Sequence, residues 1–512
     1  MHHRAGPLRM RPQLLVPGRP DLPREVPDGV DAVVIGGGVA GISAAVVLAE
    51  RGVRVTLLEA AGQLGGRLGA WPHRMPDGSE QIVEHGFHAF FRQYYTWRAI
   101  LRRADPALRF LRPTGSYPVL SARWPEEDLT GLPATPPLSL LTLFARSPSL
   151  GWRDLVGANR TLGLELLGFD QGHPALGLEA LSAGEFLNRL NLSERARSML
   201  FEAFARSFFC NPTGMSAAEL VAMFHFYFLG NPEGLAFDAP DTDYLTCIWN
   251  PLRAHLTRHG AEVMTGSPVN ALVPGPDHRW RVELDARTLD TRHVLLALDP
   301  GGLRGLVDRS DEARAVAPRL AAQVGSLSVA EPYAVSRLWL DRDVSPERAV
   351  FSAVTGQDTL DSITCYHRLE RGSRAWAART GGAVLELHSY ACTRPDARSA
   401  TEHMLAELAQ LWPETADATI LHRSVRLEAE APAFPPGSRV LRPTVSSDAR
   451  GVRVAGDFVQ LPYCSGLMER SAMSGVLAAN DVLAEHGAGP EPVTGVPQRG
   501  LLAGLTRLTR KR

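Results

Sequence analysis

The stretch Val33–Glu59, VVIGGGVAGISAAVVLAERGVRVTLLE, constrains the fold of this chain more than any other. A β-branched run leads into a glycine-rich turn, an apolar helix follows, and a second apolar strand ends at an acid. This order of strand, G-x-G-x-x-G turn, helix, strand and acid is typical of a dinucleotide-binding unit. Gly36 permits the tight turn, Gly38 lets backbone N–H groups approach a pyrophosphate, and Gly41 lets the helix pack closely on the strand. The sequence therefore predicts a nucleotide cofactor at the start of that helix.

The acid that closes this unit indicates which dinucleotide binds. Glu59 can accept hydrogen bonds from both ribose hydroxyls and would repel a 2′-phosphate, so FAD or NAD is favoured over NADP. A second glycine turn follows, in which Gly66 precedes Arg67; the arginine can reach a pyrophosphate, and the alternative is a solvated loop arginine. The combination of G-x-G-x-x-G, acid and GGR resembles the flavin-containing amine oxidase and phytoene desaturase superfamily. The resemblance implies FAD, and it implies that Val269, on a strand predicted over 267–273, offers main-chain hydrogen bonds near the adenine.

Composition narrows the remaining possibilities. The chain has 512 residues and 45% apolar content, which allows two or three domains, and its net charge of −1 gives no electrostatic footprint for nucleic acid. Its five cysteines are scattered without a C-x-x-C pair, which indicates neither a zinc site nor a redox dithiol and fits a reduced compartment. Residues 1–30 are proline-rich without an apolar signal segment, which predicts a disordered leader. No apolar run in the sequence is long enough to predict a membrane span.

A second chemically suggestive stretch, VEHGFHAFFR, spans 83–92. Glu84, His85 and His88 are candidate acid–base groups in a pocket wall beside the cofactor, because carboxylates and imidazoles are the side chains that most often carry protons. The alternative is a polar, hydrogen-bonded turn beneath the cofactor. Metal binding is not predicted, since two histidines alone lack further ligands at a recognisable spacing.

Between 104 and 243 the dinucleotide signals stop and helical patterns follow. Ser182 and Glu185 predict a capping box at the start of one helix. Two later stretches, 199–209 and 217–229, are strongly apolar and aromatic. Such stretches usually form core, but in an inserted helical region they also provide what a tunnel for a long hydrophobic substrate requires.

A third cofactor element is predicted near the C-terminus, over 452–483. A short strand ends at Gly456 and Asp457, a loop follows, and a helix begins near Gly466. Asp457 can bond the ribityl chain or a pyrophosphate-bound water, and the positive end of the helix dipole points towards the cofactor. Glu469, in the first turn of this helix, is a candidate acid; the alternative is a residue that only stabilises the dipole.

The last residues, 499–512, place four leucines among arginines and Lys511, which predicts a short basic amphipathic helix. Such a helix can lie on an anionic membrane surface, and the alternative is a frayed, solvated end.

Together these patterns predict an α/β protein: a Rossmann-type FAD-binding domain of the amine oxidase and phytoene desaturase kind, with an inserted mixed α+β substrate domain. The predicted boundaries are a disordered leader over 1–30; a discontinuous FAD-binding domain over 31–103, 244–300 and 440–484; a substrate domain with a helical insertion over 104–243 and 301–439; and a basic tail over 485–512.

Five segments carry a more specific resemblance: GFHAFFRQYYTWRAILRRADP, FEAFARSFFCNP, SAAELVAMFHFYFLGNPEGLAFD, AVLELHSYA and AGDFVQLPYCSGLMERSAMSG. They are similar to the isorenieratene-synthase family, whose members are carotenoid end-ring desaturase/methyltransferases, and to related lycopene monocyclases. The resemblance extends over nearly all of 31–483. It implies FAD, a long hydrophobic C40 carotene as substrate and work at a membrane surface, with Met468 among the cofactor-binding residues. Cys210, Tyr463 and Cys464 depart from the family pattern.

The resemblance implies a reaction and leaves alternatives open. In the expected reaction, FAD removes hydride equivalents from a β-ring, a methyl group shifts, and the ring becomes aromatic. The candidate proton-handling groups are Glu469, Glu84, His85 and His88. The alternatives are a lycopene β-cyclase, which isomerises without net oxidation, an amine oxidase, and a carotenoid carrier without turnover. The electron acceptor stays open, and we expect a protein of the cytoplasm or of the cytoplasmic membrane surface.

Overall fold

The computed structural model describes residues 10–115, 118–134, 136, 138–208 and 211–510. Its strands are β1 (Gln13–Val16), β2 (Asp31–Ile35), β3 (Arg54–Leu58), β4 (Ala70–Arg74), β5 (Glu80–Glu84), β6 (Phe90–Phe91), β7 (Leu111–Pro113), β8 (Pro118–Leu120), β9 (Glu127–Asp128), β10 (Phe237–Pro240), β11 (Glu262–Met264), β12 (Val269–Pro274), β13 (Trp280–Leu284), β14 (Thr288–Thr291), β15 (His293–Leu296), β16 (Ser328–Val329), β17 (Tyr333–Leu340), β18 (Phe351–Val354), β19 (Ser362–Cys365), β20 (Ala383–Ser389), β21 (Ile420–Glu428), β22 (Pro432–Ala433), β23 (Val452–Val454) and β24 (Val493–Gly495).

The α-helices are α1 (Val39–Glu50), α2 (Tyr95–Leu101), α3 (Leu138–Arg146), α4 (Trp152–Gly157), α5 (Arg160–Leu167), α6 (Leu176–Glu179), α7 (Ala183–Leu190), α8 (Glu194–Arg197), α9 (Ala203–Arg206), α10 (Ala217–Phe224), α11 (Asn250–Arg258), α12 (Pro300–Asp308), α13 (Asp311–Val316), α14 (Pro318–Gly325), α15 (Tyr366–Leu369), α16 (Arg371–Thr380), α17 (Ala397–Leu411), α18 (Leu467–Glu485) and α19 (Ala503–Arg510).

A five-stranded parallel sheet in the order β11-β3-β2-β15-β23 carries the glycine-rich unit. Its central strands are rich in valine, leucine and isoleucine, as a parallel sheet covered on both faces requires. Helix α1 crosses α18 so closely that a Cβ atom on Gly475 would lie 2.1 Å from the carbonyl oxygen of Ala40. The predicted α/β class with a Rossmann-type unit is confirmed, and β23 brings the C-terminal cofactor element to this sheet.

A second, mixed sheet is the largest sheet in the described part of the chain. Its seven strands lie in the order β21-β17-β20-β19-β18-β8-β9, and among these pairs β18 and β8 are parallel while the others are antiparallel. Every residue of β17 and β20 is buried, and α17 packs across β17, β20 and β21. Strands from before and after the second cofactor segment therefore share one sheet.

The helical insertion runs from α3 to α10. The capping box predicted at α7 is confirmed: the Glu185 N–H donates to Ser182 Oγ at 3.1 Å, and the Ser182 N–H donates to Glu185 Oε2 at 2.9 Å. The two apolar stretches fold as helices that continue through π-helical turns, Ser198–Glu202 and His225–Leu229. Such turns widen a helix locally and are frequent at functional sites.

Both ends of the described chain contradict or refine the predictions. Strand β1 pairs antiparallel with β24, so a disordered leader is wrong for this part of the N-terminal segment, because its apolar residues 14–16 find a partner strand near the C-terminus. Residues 1–9 lie outside the described part. Helix α19 forms as predicted, and Thr506 and Ala503 bury one of its faces against the region of α5. Among the described residues, no helix combines the length and the apolarity needed to cross a bilayer.

Candidate active site

A cavity of about 730 Å³ opens at the carboxyl ends of β2 and β3 and extends to a cluster of aromatic side chains. Ligands of open parallel sheets bind at this end of the strands. Most of the predicted cofactor-binding residues line it: Gly36, Gly38, Glu59, Gly66, Arg67, Val269, Gly456, Asp457 and Met468. Three stretches far apart in sequence therefore meet at one cavity.

The glycines of the turn have different surroundings. Gly36 has φ +108°, and a Cβ there would lie 2.3 Å from the carbonyl oxygen of Ala297, so the position needs glycine. Gly41 lies behind the cavity, where a Cβ would be 1.8 Å from Gly36 O. At Gly38, by contrast, a Cβ would meet no protein atom closer than 3.8 Å, so the space beside this backbone is open cavity at the start of α1. This space and the helix N-terminus suit a pyrophosphate.

The Glu59 carboxylate is held in place at the end of β3. The Gly37 N–H donates to Glu59 Oε2 at 2.7 Å, and the Ala61 N–H donates to Glu59 Oε1 at 2.8 Å. Each oxygen keeps further lone pairs for a ligand that enters the cavity. A ribose next to the glycine turn would find a carboxylate already oriented.

Arg67 and Asp457 form one unit, although the sequence predicts separate roles for them. Arg67 Nη1 and Nη2 donate to the two Asp457 carboxylate oxygens at 2.9 and 2.7 Å. The pair joins the second glycine turn to the segment after β23, and both residues line the cavity. The carboxylate takes two of the five guanidinium N–H donors, so a contact between Arg67 and a pyrophosphate stays a prediction.

A polar cluster made of His85, Tyr333 and Glu430 lies in the cavity wall. His85 Nε2 is 2.7 Å from Glu430 Oε1, the Tyr333 hydroxyl donates to the same oxygen at 3.0 Å, and it lies 3.2 Å from His85 Nε2. Against partial burial, the hydrogen bond with His85 lowers the pKa of Glu430. The sequence predicts His85 but gives no signal for its two partners, which lie outside any motif.

His88 also lines the cavity, with a restricted role. Its Nδ1–H donates to Gly86 O at 2.8 Å, and burial lowers its pKa to about 3. The imidazole is therefore neutral near pH 7 and presents Nε2 as an acceptor. His88 can therefore accept a hydrogen bond, but burial disfavours its protonated form, so it is a weak proton acceptor near pH 7.

Two predicted catalytic acids do not line the cavity. Glu84 points away from it, into a buried ion pair with Arg337, because neighbouring residues at the end of a strand face opposite sides. Glu469 is fully buried between helices, where its oxygens accept the N–H groups of Thr96 and Trp97 at 2.8 and 3.0 Å. Glu469 thus caps the start of α2, which corrects the prediction of an acid at the cofactor.

Beyond the polar cluster the cavity becomes aromatic. The wall in this part is formed by Phe87, Phe91, Tyr94, Phe204, Phe208, Tyr227, Phe228, Leu235, Phe237 and Phe351. The rings of Phe87 and Phe351 stack at 5.0 Å, and the hydroxyls of Tyr94 and Tyr227 lie 2.7 Å apart. Both apolar helical stretches of the insertion contribute rings, so this end suits a flat, conjugated hydrocarbon.

Two of the residues that depart from the family pattern, Tyr463 and Cys464, do not line this wall. Cys464 is buried, and its Sγ lies 3.5 Å from Ala222 O, away from the cavity lining. Cys210 lies outside the described residues. One group of side chains in the described part, Glu50 with His255 and His259, has the spacing of metal ligands, which the sequence does not predict. It lies away from the cavity, and Arg103 already donates to both Glu50 oxygens at 3.1 Å.

Comparisons with known proteins show which family and fold this chain is similar to. The family model for flavin containing amine oxidoreductases matches residues 39–483. A carotenoid phi-ring synthase of Streptomyces griseus is 42% identical over 99% of this chain and 97% of its own, and one of Chlorobaculum tepidum is 27% identical over 92% and 91%. The structure of a cyclohexylamine oxidase from Brevibacterium oxydans shares the fold, with a TM-score of 0.64 at 16% identity over 89% of this chain and 99% of that one.

Proposed function

The chain belongs to the flavin-containing amine oxidoreductase family, among its carotenoid-modifying members, and we propose that it is an FAD-dependent enzyme that converts the β-ring end group of a C40 carotene into an aromatic ring. The observation that carries the proposal is one cavity in which the dinucleotide motif and an aromatic channel meet. The similarity to carotenoid phi-ring synthases over the whole chain supports the choice of reaction.

FAD is the flavin that the cavity suits. The open space at Gly38 and the N-terminus of α1 would take the pyrophosphate, Glu59 would accept the ribose hydroxyls, and Val269 lies on the wall proposed for the adenine. The Arg67–Asp457 pair would border the chain that leads to the isoalloxazine. When bound, the flavin supplies the two-electron oxidant by accepting hydride.

The polar cluster would handle protons. Each dehydrogenation of the ring removes a hydride and a proton, and the methyl shift moves positive charge onto the carbon that the methyl leaves, so a base must accept the proton that is released. Glu430 can do this, because its hydrogen bond with His85 lowers its pKa and so keeps the carboxylate ionised, while Tyr333 holds the same oxygen. The electron-rich faces of the aromatic wall would stabilise cationic charge in the ring.

Product mass distinguishes the proposed reaction from its alternatives. The purified holoprotein is incubated with β-carotene, γ-carotene and lycopene, with its flavin oxidised or reduced. The products are separated, and their molecular masses are measured. Aromatisation removes hydrogens and lowers the mass of β- or γ-carotene, whereas a lycopene cyclase leaves the mass of its substrate unchanged. A flavin-loaded protein that alters none of these carotenes and oxidises amines instead would contradict the proposal.

Two glutamates that are two positions apart, Glu430 and Glu428, test whether Glu430 is the proton acceptor. We expect Glu430→Gln to retain flavin and bind carotene but to lose most of its turnover, on the order of the 10²- to 10⁴-fold effect of general acid–base catalysis. Glu428→Gln is the matched control, because Glu428 also lines the cavity but is not part of the cluster. Equal losses in both variants would show that charge in the cavity, not the cluster, matters.

The location of the enzyme is part of the same proposal. Carotenes dissolve in lipid and not in water, so an enzyme of this kind needs access to a bilayer, and we expect it at the cytoplasmic face of the membrane.

A further inference from the structure

Two consecutive helices of the insertion turn apolar side chains towards solvent. Helix α3 has the sequence LSLLTLFAR, and none of its nine residues, all of them described, is buried. Leu138 and Leu141 are 59% and 62% exposed, and in α4 Trp152 and Val156 are both 76% exposed. These four residues define what we call the α3–α4 surface.

Ordinary packing does not explain this surface. A helix on a globular protein normally turns its apolar stripe inwards, since burial stabilises by about 25 cal/mol per Å² of apolar area. Here the two helices are fixed to each other by an edge-to-face contact between Phe144 and Trp152, with ring centroids 5.8 Å apart, and the neighbouring leucines stay outside. A contiguous exposed apolar area of this kind marks an interaction site.

The exposed charges of α3, α4 and the first residue of α5 are basic, although Asp128 on β9 lies close enough to Arg146 to interact with it electrostatically. Arg146, Arg153 and Arg160 are exposed. The acid of this segment, Asp154, is buried and accepts the N–H groups of Gly151 and Ser193 at 2.9 and 2.7 Å. Exposed leucines and a tryptophan with arginines nearby in sequence are the combination that lies at the surface of a bilayer with anionic lipids.

The segment that precedes α3 contacts a turn next to the aromatic end of the cavity. Just before α3, Ala134 touches the turn at Gly234, where a Cβ would lie 3.0 Å from Ala134 Cα. The next residue, Leu235, lines the cavity, and Leu140 and Leu143 of α3 pack partly against the main core. A hydrocarbon that leaves a bilayer at this surface would therefore travel along apolar side chains to the cavity.

We propose that the α3–α4 surface docks on the face of an anionic bilayer and admits the water-insoluble substrate to the cavity. Docking itself is independent of the reaction, whereas the delivery of a carotene rests on the proposed function. The C-terminal helix is less suited to this role, because Thr506 is buried and Arg507 Nε donates to the buried Asp170 at 2.6 Å. Its exposed leucines, Leu502 and Leu505, provide the control.

The experiment compares two matched double variants of the holoenzyme. Leu138→Ser/Leu141→Ser and Leu502→Ser/Leu505→Ser each remove two exposed leucines, and circular dichroism and flavin absorbance verify that both fold. Each protein is sedimented with vesicles of phosphatidylcholine, alone or with phosphatidylglycerol. We expect the wild type and the Leu502→Ser/Leu505→Ser variant to pellet with the anionic vesicles. The partition coefficient of the Leu138→Ser/Leu141→Ser variant should be at least about tenfold lower.

Three results would overturn the proposal. The first is equal pelleting of both variants, and the second is a loss confined to the Leu502→Ser/Leu505→Ser protein, which would move docking to α19. The third is lipid-free self-association that the Leu138→Ser/Leu141→Ser protein lacks, which would make the surface an interface between two copies. Turnover of carotene dispersed in detergent separates docking from chemistry. The Leu138→Ser/Leu141→Ser variant should turn over this carotene as the wild type does. If the wild type does not turn over the carotene, the proposed function is refuted, but the docking result is unaffected.

Discussion

Replacing Arg337 by methionine tests the buried charges beneath the cavity. The guanidinium lies on β17, 1% exposed, and donates to Glu84 at one end and, through Nε and Nη2, to Glu386 Oε2 at 2.9 and 2.7 Å. Glu386 in turn accepts the N–H of Phe87, a residue of the cavity wall, at 2.6 Å. The substitution therefore leaves Glu84 without its buried cation and leaves Glu386 with His388, whose Nε2 lies 2.7 Å from Glu386 Oε1, as its remaining side-chain partner.

The expected loss of unfolding free energy in Arg337→Met is large for a single substitution. Removing one partner from a buried ion pair costs about 3–5 kcal/mol, because the remaining charge stays desolvated. That is a sizeable part of the roughly 5–15 kcal/mol by which folded proteins are stable. The matched control is Arg348→Met. Arg348 pairs with Glu414 through two hydrogen bonds of 2.7 and 2.9 Å, but both side chains are 29% exposed. We therefore expect Arg348→Met to lower the free energy of unfolding by about 1 kcal/mol or less.

The loss of unfolding free energy in Arg337→Met should depend on pH. In the wild type, and against burial, Arg337 holds the pKa of Glu386 below its usual range, so the pair contributes stability above the unfolded pKa of about 4.3 and loses it in acid. In the variant, burial is opposed by His388 but no longer by Arg337, so the pKa of Glu386 is higher than in the wild type, and protonation relieves part of the uncompensated charge. The destabilisation should therefore be greater at about pH 8 than at about pH 5.5.

Urea unfolding of the holoprotein at both pH values measures the effect. If the Arg337→Met variant does not fold, Arg337→Met/Glu386→Gln supplies the comparison, because it removes the buried charge together with its partner and should recover stability at the higher pH. A loss no larger than that of Arg348→Met, or a loss equal at both pH values, would refute the reasoning.

Three further predictions concern single positions. Glu469→Gln should keep turnover but lose about 1–3 kcal/mol in urea unfolding, because its amide NH₂ would face a helix N–H donor; a stable but inactive variant would restore the catalytic role. Gly475→Ala should lower the melting temperature and speed flavin release, since the new Cβ would lie 2.1 Å from Ala40 O, although alanine normally stabilises a helix; an unchanged melting temperature would contradict this. Burial raises the pKa of Glu84 to about 7, above its unfolded value, so the wild type should lose stability as the pH rises through this range, and Glu84→Gln should flatten that slope in urea titrations at several pH values.

The cofactor half of the cavity could be predicted because its signals are local. A strand, a turn that only glycine permits and an acid at fixed spacing are properties of a short segment, and the structure has Gly36, Gly38 and Glu59 where that pattern requires them. Asp457 could be predicted for the same reason, since it ends a short strand before a helix. Its bond with Arg67 could not, because it joins residues 390 positions apart.

The arrangement of the candidate acid–base groups, in contrast, could not be predicted from the sequence. Residues 84 and 85 are neighbours, and the sequence gives them the same role, but the alternation of side chains along an extended segment sends Glu84 to Arg337 and His85 into the cavity. Glu430 is 345 positions from His85, in a segment without any motif. Only the placement of β21 beside β17 brings these groups together, so no pattern within either segment could have identified the pair.

This long-range assembly links the two sheets and the reaction proposed for the cavity. Tyr333 begins β17 and binds Glu430, which follows β21, while Arg337, further along β17, fixes the segment that carries His85 through Glu84. The polar cluster can therefore form only when the seven-stranded sheet has its register, and the same strand that completes the proton acceptor also anchors the wall beside the cofactor. Loosening β17 from within should consequently disturb turnover before it unfolds the cofactor sheet, whose strands pair independently of it.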